Sequence, residues 1–321
     1  MDPCFIHCRI STQKFRKQNG VLLVRVVGEM LLMLLQMFYY NLESIYRFFA
    51  LPKEKAVKGE IVLVTGAGHG IGKELALQYA ALGATVVAWD INEKNNTETV
   101  TQINQQGRAK AYGYVCDVAN RANVFEVVER VKKDVGDITI IVNNAGIMPT
   151  HSLLDQTADE IERTFKVNVF GHFWVLQAIL PSMLKNNNGH IVAISSCAGL
   201  VGLENLVPYC ASKWAVKGYM EALFHEIRTS VPNTRIKFTT VYPYMVDTGL
   251  CKKPKMRFEG SMNMESPEVV ARKAIEAQRR NLSEITIPEY FFYLVNSFRI
   301  MSGKACLKLK DFLGVYLESD L

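Results

Sequence analysis

The sequence has no Cys-x-x-Cys pair, no histidine cluster at metal-ligand spacing, and no basic excess over most of its length. Its seven cysteines, at 4, 8, 116, 197, 210, 251 and 306, are odd in number and scattered. That argues against a disulfide framework or a metal site, and reduced thiols in a cytosolic compartment are expected. The 37 Lys+Arg against 31 Asp+Glu leave a formal charge of +6, yet residues 1–58 alone hold nine basic and four acidic side chains. Residues 59–321, with 28 basic and 27 acidic, lack the basic face that phosphate backbones require, so no nucleic-acid partner is expected. With 49% apolar and only 21% charged residues, disorder is excluded as well.

Long uncharged runs are scarce too. Residues 21–51 are mainly apolar and aromatic, but Arg25, Glu29, Gln36, Glu43 and Arg47 interrupt them, and the longest stretch without charge is 30–42. A membrane span wants about 20 predominantly apolar residues. Arg25 and Glu29, four apart, meet on one helical face, which lowers the cost of burying them. Tyr39, Tyr40, Tyr46, Phe48 and Phe49 beside basic residues match a membrane boundary. A cleaved signal peptide would need small residues after the apolar run, and these are lacking. The segment is read as a retained membrane anchor, with an amphipathic core helix as the alternative. The organisation expected is a basic segment 1–20, the anchor 21–51, a polar linker 52–59, a folded domain 60–290 and a C-terminal helical tail 291–321.

From residue 60 strand and helix signals alternate, which predicts one α/β domain with a doubly wound parallel sheet. Residues 61–64 (Ile-Val-Leu-Val) form a short β-branched run that ends in Thr65-Gly66-Ala67-Gly68-His69-Gly70-Ile71-Gly72, and 73–82 has helical periodicity. Glycines there let backbone N–H groups approach a pyrophosphate at a helix N-terminus. The second strand, 85–89, ends in Asp90, where a dinucleotide fold places the acid that binds ribose hydroxyls. Ile91 and Asn92 follow, with no cation to offset a 2′-phosphate, so NAD is expected over NADP. The third strand, 111–115, leads to Asp117, which either contacts the adenine edge or caps the helix beginning near Asn120. The fourth strand, 138–142, runs into Asn143-Asn144-Ala145-Gly146, and the fifth, 190–195, into Ser195-Ser196. A helix from about Pro208 carries Tyr209 and Lys213 four apart on one face.

Together with Asn168, these motifs resemble the short-chain dehydrogenase/reductase family in order and spacing, over about residues 58–290. The resemblance implies a Rossmann-type fold and a catalytic set of Asn168, Ser196, Tyr209 and Lys213. It implies cofactor contacts from Thr65, Gly66, Gly70, Ile71, Gly72, Asp90, Asp117, Val118, Asn144, Ala145, Gly146, Tyr209, Lys213, Pro243 and Thr248. The family usually has Gly after this Pro; Tyr244 stands there and is expected to narrow the substrate entrance. The apolar arm is most similar to that of membrane-associated retinol and 17-beta-hydroxysteroid dehydrogenases. That implies a retinoid, steroid or other lipid substrate and a place at the endoplasmic reticulum or a lipid droplet, with the catalytic domain facing the cytosol. An NADP(H)-dependent carbonyl reductase and a lipid-surface binding protein with a vestigial site are the alternatives.

Residues 249–265 fall where the family has its variable substrate lid. The tail is expected to close the fold or a homodimer interface, with a second membrane contact as the alternative. Within the lid, Lys252, Lys253, Lys255 and Arg257 form a basic cluster interleaved with Met256 and Phe258, which predicts contact with an anionic membrane surface. Neutralising these four residues is expected to weaken binding to anionic vesicles, measured by co-sedimentation, without changing turnover of a soluble substrate analogue.

Overall fold

A computed structural model describes residue 22, residues 25–43, 45–46, 50–250, 254–255, 264–314, 316–317 and residue 319. The chain divides into two units, Met1–Lys53 and Glu54–Leu321. The first contains helix α1, residues 25–43. Arg25 and Glu29 pair across one turn at 2.9 Å, and Leu31, Leu32, Leu34, Leu35 and Phe38 on this helix are exposed.

The second unit is an α/β domain. Its first half runs β1 (Ile61–Thr65), α2 (Gly70–Ala81), β2 (Thr85–Asp90), α3 (Glu93–Gln106), β3 (Ala111–Val115) and α4 (Arg121–Asp134). The second half runs β4 (Ile140–Asn143), α5 (Ala158–Phe165), α6 (Gly171–Asn186), β5 (Gly189–Ile194), α7 (Val207–Ser230) and β6 (Ile236–Pro243). A tail follows with β7 (Pro254–Lys255), α8 (Pro267–Arg279), β8 (Glu284–Ile287), α9 (Tyr290–Ile300), α10 (Gly303–Leu313) and β9 (Tyr316–Leu317). Seven parallel strands form the sheet in the order β3-β2-β1-β4-β5-β6-β8. Such a sheet must bury both faces, and two apolar clusters do so. One packs Leu75, Tyr79, Ile103 and Ile275 on one side of the sheet; the other packs Val127, Val131, Ile179 and Met220 on the opposite side.

Strand order reverses between β1 and β4, which pair directly, Val64 opposite Val142. Helices leaving these strands go to opposite faces, so a crevice opens at their carboxyl ends. Among the described residues one helical stretch is long and apolar enough to cross a membrane, Ala158–Lys185. It belongs to this domain, where Val175, Leu176, Ile179 and Met183 are buried against the sheet, so packing accounts for its apolar character.

The segment expected as a polar linker is built into the domain from Glu54 onward. Val57 is 2% exposed within the core. Lys55 N–H donates to Arg279 O at 2.9 Å, and Glu54 pairs with both Arg279 and Arg280. Lys55 Nζ stands 2.9 Å from His190 Nδ1, whose ring bonds Thr239 Oγ1 through Nε2 at 2.8 Å. The tail is likewise tied in: β7, inside the expected lid, pairs antiparallel with β9, Pro254 opposite Leu317. Otherwise 251–253 and 256–263, with Lys252, Lys253 and Arg257, lie outside the described residues.

Two buried histidines make this fold sensitive to acid. Burial pulls His172 down from 6.5 to about 3, helped by nearby Lys213, and burial with Lys55 and Lys237 holds His190 well below its ordinary value. The unfolded chain takes up these protons near pH 6.5 and the folded chain does not, so stability is lost as pH falls below 6.5. Urea unfolding between pH 7 and 5 should lose roughly 1.4 kcal/mol per pH unit for each histidine below that point. His172→Gln is expected to flatten the slope.

Candidate functional site

The crevice is a cleft of about 810 Å³. Its construction begins at Thr65, the last residue of β1. The Thr65 hydroxyl accepts the backbone N–H groups of Asn144 and Ala145 at 3.0 and 3.1 Å and donates to Val142 O at 3.4 Å, using its full capacity. Asn144 Nδ2 returns a bond to Thr65 O at 2.9 Å. The ends of β1 and β4 are thereby stapled side by side. The chain then turns through Gly66, at φ +69°, a left-handed conformation that glycine adopts without steric cost. At Gly72, in the first turn of α2, an added Cβ would lie 1.9 Å from Gly66 O. Only glycine permits α2 to start this close to the strand, and this closeness leaves a cradle of backbone for a diphosphate at the helix N-terminus.

Asp90 closes the adenosine side. Its Oδ2 accepts Gly68 N–H and its Oδ1 accepts Asn92 N–H, both at 2.8 Å. A carboxylate has about four acceptor sites, so capacity remains for a diol. Asp117 and Val118 line the same wall. The two readings of Asp117 separate here: Asn120 caps α4, its side chain accepting Asn123 N–H at 3.2 Å, while Asp117 Oδ1 bonds Ala119 N–H. Asp117 is therefore not the cap.

The other end of the cleft gathers residues from three elements. Ser195 and Ser196 follow β5, and Ser195 Oγ donates to Lys213 O at 3.0 Å, pinning α7 to the strand end. Ser196 Oγ accepts Ala198 N–H at 3.1 Å and lies 3.4 Å from Pro243 O. Lys213 is 4% exposed. Its Nζ donates to Ile194 O at 3.0 Å and stands 5.6 Å from the Tyr209 ring centroid. Burial pulls its amine from 10.5 down to about 8, which leaves it mostly charged at neutral pH.

Asn168 lies in a π-helical turn, Lys166–Phe170, between α5 and α6. Local widening of a helix in this way often marks a functional position. Its Oδ1 accepts Ile147 N–H, and its Nδ2 donates to Ile147 O and Ser212 Oγ, all within 2.9 to 3.0 Å. A Cβ at Gly146 would lie 3.3 Å from Asn168 Oδ1 and 3.6 Å from Lys213 Nζ. The two polar groups therefore converge on one small volume beside Gly146.

Of the residues expected from sequence, Gly66, Gly70, Ile71, Asp90, Asp117, Val118, Asn144, Ala145, Gly146, Ser196, Tyr209, Lys213, Pro243 and Thr248 all line the cleft. Thr65, Gly72 and Asn168 are not among its lining residues and act from behind, positioning those that are. The sequence gave no signal for the apolar end, where Met148, Leu203, Leu206, Met245 and Leu250 lie on irregular segments. Tyr244 joins them, its N–H bonded to Ile287 O at 2.8 Å and its ring 4.9 Å from that of Phe291 on α9. Of the two cations that could have met a 2′-phosphate, His69 lines the cleft and Lys73 is not among the lining residues.

Comparison with known proteins places this geometry. The sequence profile of the short chain dehydrogenase family matches residues 60–257. Short-chain dehydrogenase/reductase family 16C member 6 of Bos taurus is 39% identical over 277 residues, 86% of this chain and 87% of that one. Epidermal retinol dehydrogenase 2 of Mus musculus is 38% identical, over 90% and 91% of the two chains. Human 17-beta-hydroxysteroid dehydrogenase 13 is 38% identical, over 92% and 97%. A crystal structure of a short chain dehydrogenase/reductase from Burkholderia phymatum in complex with NAD superposes with a TM-score of 0.68 at 26% identity, covering 75% of this chain and 93% of that one. The chain belongs to the short-chain dehydrogenase family.

The glycine contacts define a stability test. Gly72→Ala is expected to lower the unfolding free energy by about 1–3 kcal/mol, because backbone must shift to admit the methyl group. Gly218→Ala, on the open face of α7 where nothing lies within 4 Å, should raise it by roughly 0.5–1 kcal/mol. Urea unfolding of the two variants checks both signs.

Proposed function

We propose that this chain is an NAD-dependent oxidoreductase that interconverts a hydrophobic alcohol, such as a retinoid, a steroid or another lipid, with its carbonyl. The observation that carries the reading is the convergence of Ser196, Tyr209 and Lys213 at one end of a cleft whose other end is a glycine cradle facing a carboxylate. Gly66, Gly70 and Ile71 would hold the diphosphate, Asp90 the adenosine ribose, Asp117 and Val118 the adenine side. Asn144, Ala145, Gly146, Pro243 and Thr248 would frame the nicotinamide end. When bound, the nicotinamide supplies the hydride acceptor or donor.

The chain's own residues handle the proton. Tyr209 as phenolate takes the proton of the substrate hydroxyl in oxidation and returns it in reduction. A free phenol titrates near 10, so the phenolate needs a cation. Lys213 is that cation, buried with its charge largely retained and close to the Tyr209 ring. Ser196 orients the substrate oxygen and stabilises charge developing there. Asn168, with both amide ends engaged, holds the Gly146 strand end beside Lys213 and supports a water-mediated relay to its amine.

Support for NAD over NADP comes from Asp90, whose carboxylate would repel a 2′-phosphate where Ile91 supplies no charge. The NAD complex of the Burkholderia relative agrees with it. A lipid substrate suits the apolar end of the cleft and the printed names of the mouse and human relatives. The same reading makes α1 a membrane anchor, supported by its exposed apolar side chains. The proposed location is the endoplasmic reticulum membrane or a lipid droplet with the catalytic domain in the cytosol, where the described cysteines stay free. A homodimer joined through the tail is the assembly proposed, since Tyr293, Ile300, Leu307 and Phe312 stand exposed on α9 and α10.

A screen of retinol, steroid and long-chain alcohols with both nicotinamides is expected to show turnover with NAD. Tyr209→Phe should lower kcat by about 100- to 10,000-fold while NADH binding, read by cofactor fluorescence, persists. Substantial activity in that variant would overturn the assignment.

A further inference from the structure

Beside the main cleft lies a second cavity of about 440 Å³. The two share Ile147, Met148, Gly249 and Leu250, so they meet along one apolar wall at the substrate end. Among the described residues lining the second cavity, those with titratable side chains are His151 and Glu160. No motif of the family accounts for either one.

His151 is 8% exposed, on the loop between β4 and α5. Its Nε2 is 3.3 Å from Glu160 Oε1. Glu160 is itself fixed, because its Oε2 accepts Thr157 N–H at 2.9 Å and the Thr157 hydroxyl at 3.0 Å in a capping box. These bonds from Thr157, with a smaller contribution from His151, hold the Glu160 carboxyl below the usual range, so it is ionised at neutral pH. The imidazole is thus held from one side by an anion, and Nε2 carries a proton toward it. Nδ1, on the other side, is buried and has no hydrogen-bond partner in the protein. Gln156 in the same loop donates to His151 O at 3.0 Å, and its own Oε1 is buried and unpartnered as well. Leaving a buried polar atom unpaired costs free energy, so such atoms point to a missing partner.

We propose that the second cavity binds a hydroxyl group at the far end of an extended hydrophobic alcohol, with His151 Nδ1 as its hydrogen-bond partner and Glu160 as the residue that orients the ring. The proposal rests on the alcohol dehydrogenase reading, because it takes the reacting carbinol to lie at Ser196 and Tyr209. A skeleton that leaves that point along Met148 and Leu250 reaches the shared wall and then His151. A hydroxyl is favoured over a carbonyl on chemical grounds. Neutral His151, protonated at Nε2, offers Nδ1 only as an acceptor, and protonated His151 offers it only as a donor; a hydroxyl satisfies both states, a carbonyl only the second. The substrate class is therefore a lipid oxygenated at both ends. It would be discriminated from the mono-oxygenated analogue because the latter leaves the imidazole unpaired.

The test compares dodecanol, tetradecanol and hexadecanol, and cholestanol as a rigid skeleton, with the corresponding diols carrying a second hydroxyl at the opposite end. Affinity for the full chain saturated with NADH is measured by calorimetry, so the readout does not depend on turnover. At least one diol is expected to bind about tenfold tighter than its mono-alcohol. The ratio should fall to near unity in His151→Leu and recover in part in His151→Asn, which restores a hydrogen-bonding group. Equal affinity of every pair in the unmodified protein overturns the proposal, as it would if water alone partners Nδ1. A diol preference that survives in His151→Leu overturns it as well. Preference without oxidation of any alcohol would sustain the cavity assignment and sink the activity proposed above; absence of any binding would sink both.

Discussion

The whole arrangement depends on how closely β1 and β4 end beside each other. Two parallel strands whose helices leave for opposite faces must part at their carboxyl ends, and the gap would splay without a tie. The Thr65 hydroxyl supplies that tie by gathering two N–H groups from Asn144 and Ala145 while donating its own proton to β4. Because the strand ends are fixed, α2 can begin against Gly66 with no space for a side chain at Gly72. Substituting any larger residue there pushes helix from strand and changes the cradle that both flank.

The catalytic end is built on the same logic of fixed backbone and mobile chemistry. α7 is pinned by Ser195 to the end of β5, and the Lys213 amine donates to Ile194 O on that strand. The helix interruption at Asn168 lets one side chain bond both the backbone after β4 and Ser212 on α7. Three elements are thereby locked in register around Lys213. Burial lowers the affinity of Lys213 for its proton without discharging it at neutral pH, a balance that suits an amine whose charge acts on a neighbouring phenol. The price of this rigidity is a core containing buried histidines that cannot take up protons in the fold.

Much of the sheet was legible in the residues because parallel strands buried on both faces read as short β-branched runs. Ile61 to Val64, Thr85 to Trp89 and Ala111 to Val115 lie within or match the observed strands. Boundaries were less legible. α2 starts at Gly70, three residues before the periodic stretch, because the glycines that weaken a helical pattern are the ones that let this helix begin. The polar run after Pro52 read as a linker, since Lys55 and Glu54 look solvated until His190 and the paired arginines of α8 are brought to them from far along the chain.

The sequence by itself determined the order of elements, the glycine turn, the carboxylate after β2 and the Tyr209 to Lys213 spacing, because each is a local pattern within one or two turns of chain. Only the tertiary structure decided that Thr65, Gly72 and Asn168 stand behind the cleft, that Asn120 rather than Asp117 caps α4, and that Tyr244 rests on Phe291 from the tail. It also decided that His151 lies beside the substrate end with one nitrogen unpaired. These are contacts between segments distant in sequence or within irregular loops, where no periodicity records which side chain faces which. The +6 charge that first marked the N-terminal arm belongs to the first kind of knowledge; the active-site cleft, made by seven strands meeting at one reversal of order, belongs to the second.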